Sequence, residues 1–216
     1  MELPRDTPQL FGDYKVEEYV KAGAFGHVFR VSKEGIDYGL KWLKEDPPSH
    51  GLDRIKNEIW ALKQLDHPSI PKVFAEGLER DRPWFVMSYV RGIDLARQIE
   101  QKRKDRAMFS EMEVLRVLVD VLSALAHMHD RGITHRDVKH DNIVTDAATT
   151  RCWLLDVGCC AAADRPYTAD TFWNVGASRF SPPSKLNYPK VVVPNHDVFA
   201  VGVVGYLLLT RQYLGR

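Results

Sequence analysis

The chain has 216 residues with 30 basic and 29 acidic side chains, a formal charge of +1, so neither nucleic acid nor an anionic membrane is its expected partner. Hydrophobic residues make up 44% and charged residues 27%, with 14 Gly and 12 Pro, which excludes collagen-like repeats and long disordered linkers. Three cysteines, Cys152, Cys159 and Cys160, are too few for a disulfide framework and point to a reducing, cytoplasmic setting.

The opening MELPRDTPQL carries acids and prolines where a secretion signal needs a basic start and an apolar core. Residues 14–90 then hold short β-like runs, YKVEEYVKAG, HVFRVS, DYGLKWLK and PWFVMSYV, separated by turn residues. One helical segment interrupts them: DRIKNEIWALKQL spaces Ile55, Ile59, Leu62 and Leu65 by four and three, and His67-Pro68 is expected to stop it. From Leu95 onward helices dominate. FSEMEVLRVLVDVLSALAHMHD, residues 109–130, predicts a long amphipathic helix with Ser110 as N-cap, Glu113 completing a capping box and Gly132 ending it. The basic run QKRKDR at 101–106 reads as a solvated loop or helix end. The apolar run from Val198 to Leu209 is twelve residues, too short for a bilayer and suited to a buried helix.

The chemistry concentrates in HRDVKHDN, residues 135–142, and in Asp156, fourteen residues beyond Asn142. Asp137 can accept the proton of an attacking hydroxyl and Lys139 can neutralise a transferring phosphoryl group. Asn142 and Asp156 offer the hard oxygen ligands that Mg²⁺ prefers.

In this order along the chain the sequence resembles the eukaryotic-type protein kinase family, with serine/threonine-like features. Lys21-Ala-Gly23-Ala-Phe25-Gly26-His-Val28 resembles the glycine-rich phosphate loop, and Tyr38-Gly39-Leu40-Lys41 the strand carrying the nucleotide lysine. Glu58 follows Lys41 by seventeen residues on the predicted helix, and HRDVKHDN matches the catalytic loop. Asp156-Val157-Gly158 matches the metal-binding triplet, and Asp197 to Gly202 the start of a central buried helix. The resemblance implies an α+β, two-lobe fold, with a small β-rich N-lobe and hinge over residues 1–90 and a helical C-lobe over 91–216. It implies ATP and Mg²⁺ as cofactors, and a protein substrate.

Residue by residue, the resemblance gives Gly23 and Gly26 to the phosphates and Lys41 to the α- and β-phosphates, oriented by Glu58. Val28, Gly39 and Val144 sandwich adenine, Met87 is the gatekeeper, and the backbones of Ser88 and Val90 bond the base. Asp94 falls where the family contacts ribose and equally suits a helix N-cap. Lys139, two residues after Asp137, is the serine/threonine pattern. Arg136 implies control by phosphorylation of the activation segment, with Thr168, Thr171 and Ser178 as candidate acceptors.

The departures are specific. Lys21 replaces a loop glycine, Gly39 an alanine and Val157 an aromatic, while Ala177 and Ser184 replace a threonine and a glutamate of the substrate shelf. These last two favour the alternative of a pseudokinase or nucleotide-binding scaffold; a small-molecule phosphotransferase is a third reading. The vicinal Cys159 and Cys160 read as small buried residues. The chain stops soon after the helix at Asp197, so the C-lobe is expected to lack its last helices, either naturally or because the chain is cut from a longer protein. Residues 198–212 would then present apolar surface to a second copy or a partner.

Overall fold

The computed structural model describes residues 4, 6–146, 148–162, 178–184 and 193–214. A six-stranded antiparallel sheet in the order β1-β2-β3-β4-β6-β5 forms the first layer. Its strands are β1 (Leu10–Phe11), β2 (Tyr14–Ala22), β3 (Gly26–Lys33), β4 (Ile36–Leu43), β5 (Val73–Glu79) and β6 (Arg82–Ser88). One face closes on the rings of Phe11, Phe29, Trp42 and Trp84, joined by Val31, Leu40 and Val86.

β5 is absent from the expected strands. Its outward positions Phe74 and Leu78 are exposed and apolar while inward Gly77 is small, so the usual alternation is missing. Gly77 is required there: a Cβ would lie 2.5 Å from the Trp84 ring.

The other face of the sheet carries helix α1 (Gly51–Lys63), which buries Ile55, Glu58, Ala61 and Leu62. The helix ends at Lys63, before the expected stop at His67-Pro68. The Gln64 N–H turns back to the carbonyls of Ala61 and Leu62, and Leu65 is buried from the following loop. That loop leans on the second helical layer, with the Asp66 N–H 3.2 Å from His127 Nε2.

After β7 (Gly92–Asp94) come α2 (Leu95–Lys104), α3 (Glu111–His129) and α4 (Asn195–Thr210). The basic run closes α2, where cations suit the helix dipole, and Lys102 reaches Glu113 Oε1 at 3.1 Å. The predicted capping box starts α3: Ser110 Oγ accepts the Glu113 N–H at 3.2 Å, and Glu113 Oε2 accepts the Ser110 N–H at 2.6 Å. Gly132 follows at φ +69°, as a left-handed stop requires.

Four more short strands lie among the described residues: β8 (Ile133–Thr134), β9 (Ile143–Asp146), β10 (Cys152–Leu154) and β11 (Ala161–Ala162). β7, β9 and β10 form one small sheet and β8 and β11 another. Helix α4 is apolar on nearly all sides. It buries Ala200, Val201, Val203, Val204, Leu207 and Leu208, so the expected exposed surface narrows to Val198, Tyr206 and Leu209. No helix among the described residues is long and apolar enough to cross a membrane.

Candidate active site

Lys41 lies on β4 opposite Val28 on β3 and Phe85 on β6. Its ammonium stands 2.6 Å from Glu58 Oε2 and 3.5 Å from Asp156 Oδ1. Glu58 reaches it because it shares the buried face of α1 with Ile55 and Leu62; the helical period turns one acid inward. Burial opposes the Lys41 charge, but the Asp156 and Glu58 carboxylates hold its pKa above the ordinary lysine range. Lys41 in turn holds Asp156 below the usual carboxylate range. Burial pushes Glu58 up to about 7, against the pull of Lys41.

Asp156 sits at φ +62°, left-handed for a residue with a side chain, and enters a 3-10 turn over Val157–Cys159. Two side chains from α1 hold that turn. Asn57 Nδ2 donates to the carbonyls of Gly158 at 3.2 Å and Cys160 at 3.0 Å. Arg54 Nη1 donates to Cys159 Sγ at 3.1 Å, while its guanidinium lies 4.4 Å over the ring of Phe25 in the phosphate loop. Cys159 and Cys160 are buried here, as expected, and burial pushes the Cys159 thiol up to about 12.

The catalytic loop leaves β8 and is fixed from below. Asp137, 8% exposed, receives Lys139 Nζ at 2.8 Å on Oδ2. Asn142 Nδ2 donates to the Asp137 carbonyl at 2.8 Å and to the same Oδ2 at 3.1 Å. Burial opposes the Lys139 charge, but Asp137 holds its pKa above the ordinary value. The Asn142 amide nitrogen is spent on this contact, so its oxygen is the group left for a cation. The Asp156 side chain is 44% exposed, with its carboxyl held below the usual range. Among the described residues no three His, Cys, Asp or Glu side chains cluster as a metal site. An amide oxygen and one carboxylate suit Mg²⁺, which takes few protein ligands and completes its shell with phosphate and water.

At the phosphate loop, the Gly23 N–H donates to the Gly26 carbonyl at 2.8 Å. Gly26 owes its identity to strand β4 as well as to phosphate access: a Cβ would stand 2.8 Å from the Trp42 carbonyl. At the adenine end, Met87 pairs with Gly39 across β6 and β4, and Val144 is buried on β9. The Ser88 N–H is taken, donating to the Lys72 carbonyl at 3.0 Å. Val90 lies past the end of β6. Asp94 is the N-cap of α2, accepting the Arg97 N–H at 2.9 Å, so the capping alternative holds whether or not ribose binds there.

Of the regulatory candidates, Arg136 is buried at φ +70°, and Ser178 opens a 3-10 turn over Ser178–Phe180. Thr168, Thr171 and Ala177 lie outside the described residues, as does the Ser178 side chain. Ser184, in the place of the family's glutamate, has its hydroxyl 3.5 Å from His196 Nε2.

The Asp197 carboxylate has a role that no motif announces. It accepts the backbone N–H of His135 and of Arg136, both at 2.8 Å, and meets His129 Nε2 at 2.8 Å. An acid placed in a run of apolar helix residues was the available signal. Arg54, Asn57, His140 and Tyr213 were also missed.

Comparison with known proteins agrees with this geometry. The protein kinase domain matches residues 14–215. The MAP kinase-interacting serine/threonine-protein kinase mnk-1 of Caenorhabditis elegans is 35% identical over 62% of this chain and 19% of its own length. The inhibitor of nuclear factor kappa-B kinase subunit beta of Rattus norvegicus is 27% identical over 96% of this chain and 28% of its own. Calcium/calmodulin-dependent protein kinase type 1 of Caenorhabditis briggsae is 27% identical, with 95% and 57% covered. The chain thus spans less than a third of the first two relatives and just over half of the third. With its motifs in order, its lysine–glutamate pair formed and nearly its whole length matched, the chain belongs to the protein kinase domain family.

Proposed function

We propose that this chain is a catalytic unit that transfers the γ-phosphoryl group of ATP to serine or threonine hydroxyls of proteins. The observation that carries the reading is Asp137, whose Oδ2 takes both Lys139 at 2.8 Å and Asn142 at 3.1 Å, leaving Oδ1 for the acceptor proton. The acceptor oxygen attacks Pγ as its proton passes to Asp137. The bond between Pγ and the β–γ bridging oxygen breaks, and ADP leaves with that electron pair. Lys139 balances charge on the transferring group and Lys41 holds the α- and β-phosphates, steadied by Glu58. Asn142 Oδ1 and Asp156 would hold Mg²⁺, which when bound neutralises charge on the phosphate oxygens.

Gly23, Gly26 and Val28 cover the nucleotide, Met87, Val144 and the Ser88 and Val90 backbones receive the base, and Asp94 faces ribose. Cys152, Cys159 and Cys160 are buried thiols outside any disulfide among the described residues, which supports a reducing, cytoplasmic setting. Exposed Val198, Tyr206 and Leu209 support cover by a second copy or a partner, which light scattering of the purified chain would test.

The test of the activity is transfer of labelled phosphate from Mg-ATP to a serine-containing protein substrate. Asp137→Asn should lower it by about 10²–10⁴-fold while nucleotide binding persists. Near-normal transfer by that variant would overturn the mechanism. Nucleotide binding without transfer by the wild type would favour the scaffold alternative.

A further inference from the structure

His140 sits inside the catalytic loop, between Lys139 and Asp141, and has no part in the chemistry above. Its side chain is 13% exposed, and its hydrogen bond goes outside the loop. Nδ1 lies 2.7 Å from Asp141 Oδ2 but is not aligned to hydrogen-bond with it, whereas Nε2 hydrogen-bonds the Tyr213 hydroxyl at 2.9 Å. Where the Tyr213 hydroxyl donates to Nε2, the ring hydrogen sits on Nδ1.

Tyr213 arrives from far along the chain, 73 residues away, just past the end of α4. The stretch that delivers it is pinned. Arg103 Nη2 donates to the Arg211 carbonyl at 2.6 Å, and Arg211 turns at φ +57° with its N–H on the Leu207 carbonyl at 2.7 Å. Three rings then meet edge to face. His140 and Phe180 are 5.1 Å apart at 68°, and Phe180 and Tyr213 are 6.2 Å apart at 78°. The Arg179 guanidinium covers Tyr213 at 4.6 Å. The cluster therefore joins the catalytic loop, the Ser178–Phe180 turn and the end of α4.

Its place in the loop gives it leverage. Lys139 is extended, and the next residues form a single 3-10 turn, His140–Asn142, closed by the Asn142 N–H on the Lys139 carbonyl at 3.1 Å. Rotating that turn would move the Lys139 ammonium and the Asn142 amide together, away from Asp137. His140 is the side chain of the turn that is held from outside the loop.

We propose that Tyr213 is a positioning residue for phosphoryl transfer, acting through its hydrogen bond to His140 to fix the orientation of the Lys139–Asn142 turn. The functional half of this rests on the kinase reading; the hydrogen bond does not. Tyr213→Phe keeps the ring packing and removes only the hydroxyl, so it separates positioning from folding.

The experiment pairs two measurements on the full chain. The first is the ¹⁵N signature of the His140 ring, assigned by its loss in His140→Gln. The wild type should show one protonated and one lone-pair nitrogen, and Tyr213→Phe should lose that fixed tautomer. The second is steady-state kinetics with Mg-ATP and a serine-containing protein. Losing one hydrogen bond of about 1.4 kcal/mol should lower kcat about tenfold with the KM for ATP unchanged. An unaltered ¹⁵N signature in Tyr213→Phe would overturn the contact. An altered signature with unchanged kcat would overturn the positioning role. Absence of turnover in the wild type would overturn the kinase reading and with it the positioning role, while the ring signature still decides the bond.

Discussion

The carboxylate of Asp197 accepts the backbone N–H of Arg136 at 2.8 Å across 61 residues of sequence. Arg136 is held at φ +70°, a conformation that costs a side-chain-bearing residue of order 1–3 kcal/mol and persists only where surroundings impose it. Asp197 is 1% exposed at the start of the buried helix α4, so a rigid helix holds the residue just before Asp137. The base of the candidate reaction is thus positioned by an acid that never touches a substrate.

Asp197→Asn should therefore damage both stability and transfer. An amide keeps one acceptor oxygen but turns an N–H toward one of the two backbone donors. The expected loss is about 3 kcal/mol in urea unfolding, in line with hydrogen bonds to a charged group, and transfer should fall even at temperatures where the variant is folded. A variant as stable and active as the wild type would remove Asp197 from this role.

The pH response of Glu58 has a definite sign. Its folded pKa of about 7 lies above the ordinary 4.5, so the folded state holds a proton there that the unfolded chain has released. Its contribution to stability is complete below pH 4.5 and is lost as pH rises through 7. Glu58→Gln, which cannot ionise, should gain melting temperature relative to the wild type between pH 5 and pH 8. Calorimetry at intervals across that window checks it; a flat or falling difference contradicts the assignment.

Two glycines should respond in opposite directions. A Cβ on Gly92 would stand 2.0 Å from the Thr145 carbonyl oxygen, where β7 crosses β9, and backbone cannot yield as a side chain can. Gly92→Ala should cost about 1–3 kcal/mol or more. On Gly39 the nearest atoms, Met87 Cγ and the Ser88 carbonyl, are at 3.5 Å, which is ordinary contact. Gly39→Ala should gain about 0.5–1 kcal/mol by restricting the unfolded chain and filling the strand. Denaturant midpoints of the two variants decide both.

The thiols should be inert in the folded protein. Cys159 is buried with its pKa pushed up to about 12, and burial raises Cys152 as well. The thiolate is the reactive form, so a disulfide reagent at pH 8 should label neither residue until guanidinium unfolds the chain. Rapid labelling of Cys159 under native conditions would show that the 3-10 turn after Asp156 opens.

Local features were legible because their causes are local. The capping box of Ser110 and Glu113 spans three residues, and the burial of Ile55 and Leu62 follows from the helical spacing they share with Ile59. The order of motifs gave the family, and with it the pairing of Lys41 with Glu58. β5 was not legible, because Gly77 is small only to admit the Trp84 ring. Nor was the end of α1, since the chain after Lys63 is arranged by contacts to α3 rather than by Pro68.

By itself the sequence determined which chemical groups are present and in what order: the Lys41 ammonium, the Asp137 carboxylate, the Lys139 ammonium, the Asn142 amide and the Asp156 carboxylate on a two-lobe frame. Only the tertiary structure decided what holds them. Asp197 under Arg136, Asn57 on the Gly158 carbonyl and Tyr213 on His140 join residues 61, 101 and 73 positions apart. Hydrogen bonds act over about 3 Å in space regardless of separation along the chain, so no local pattern of residues encodes them.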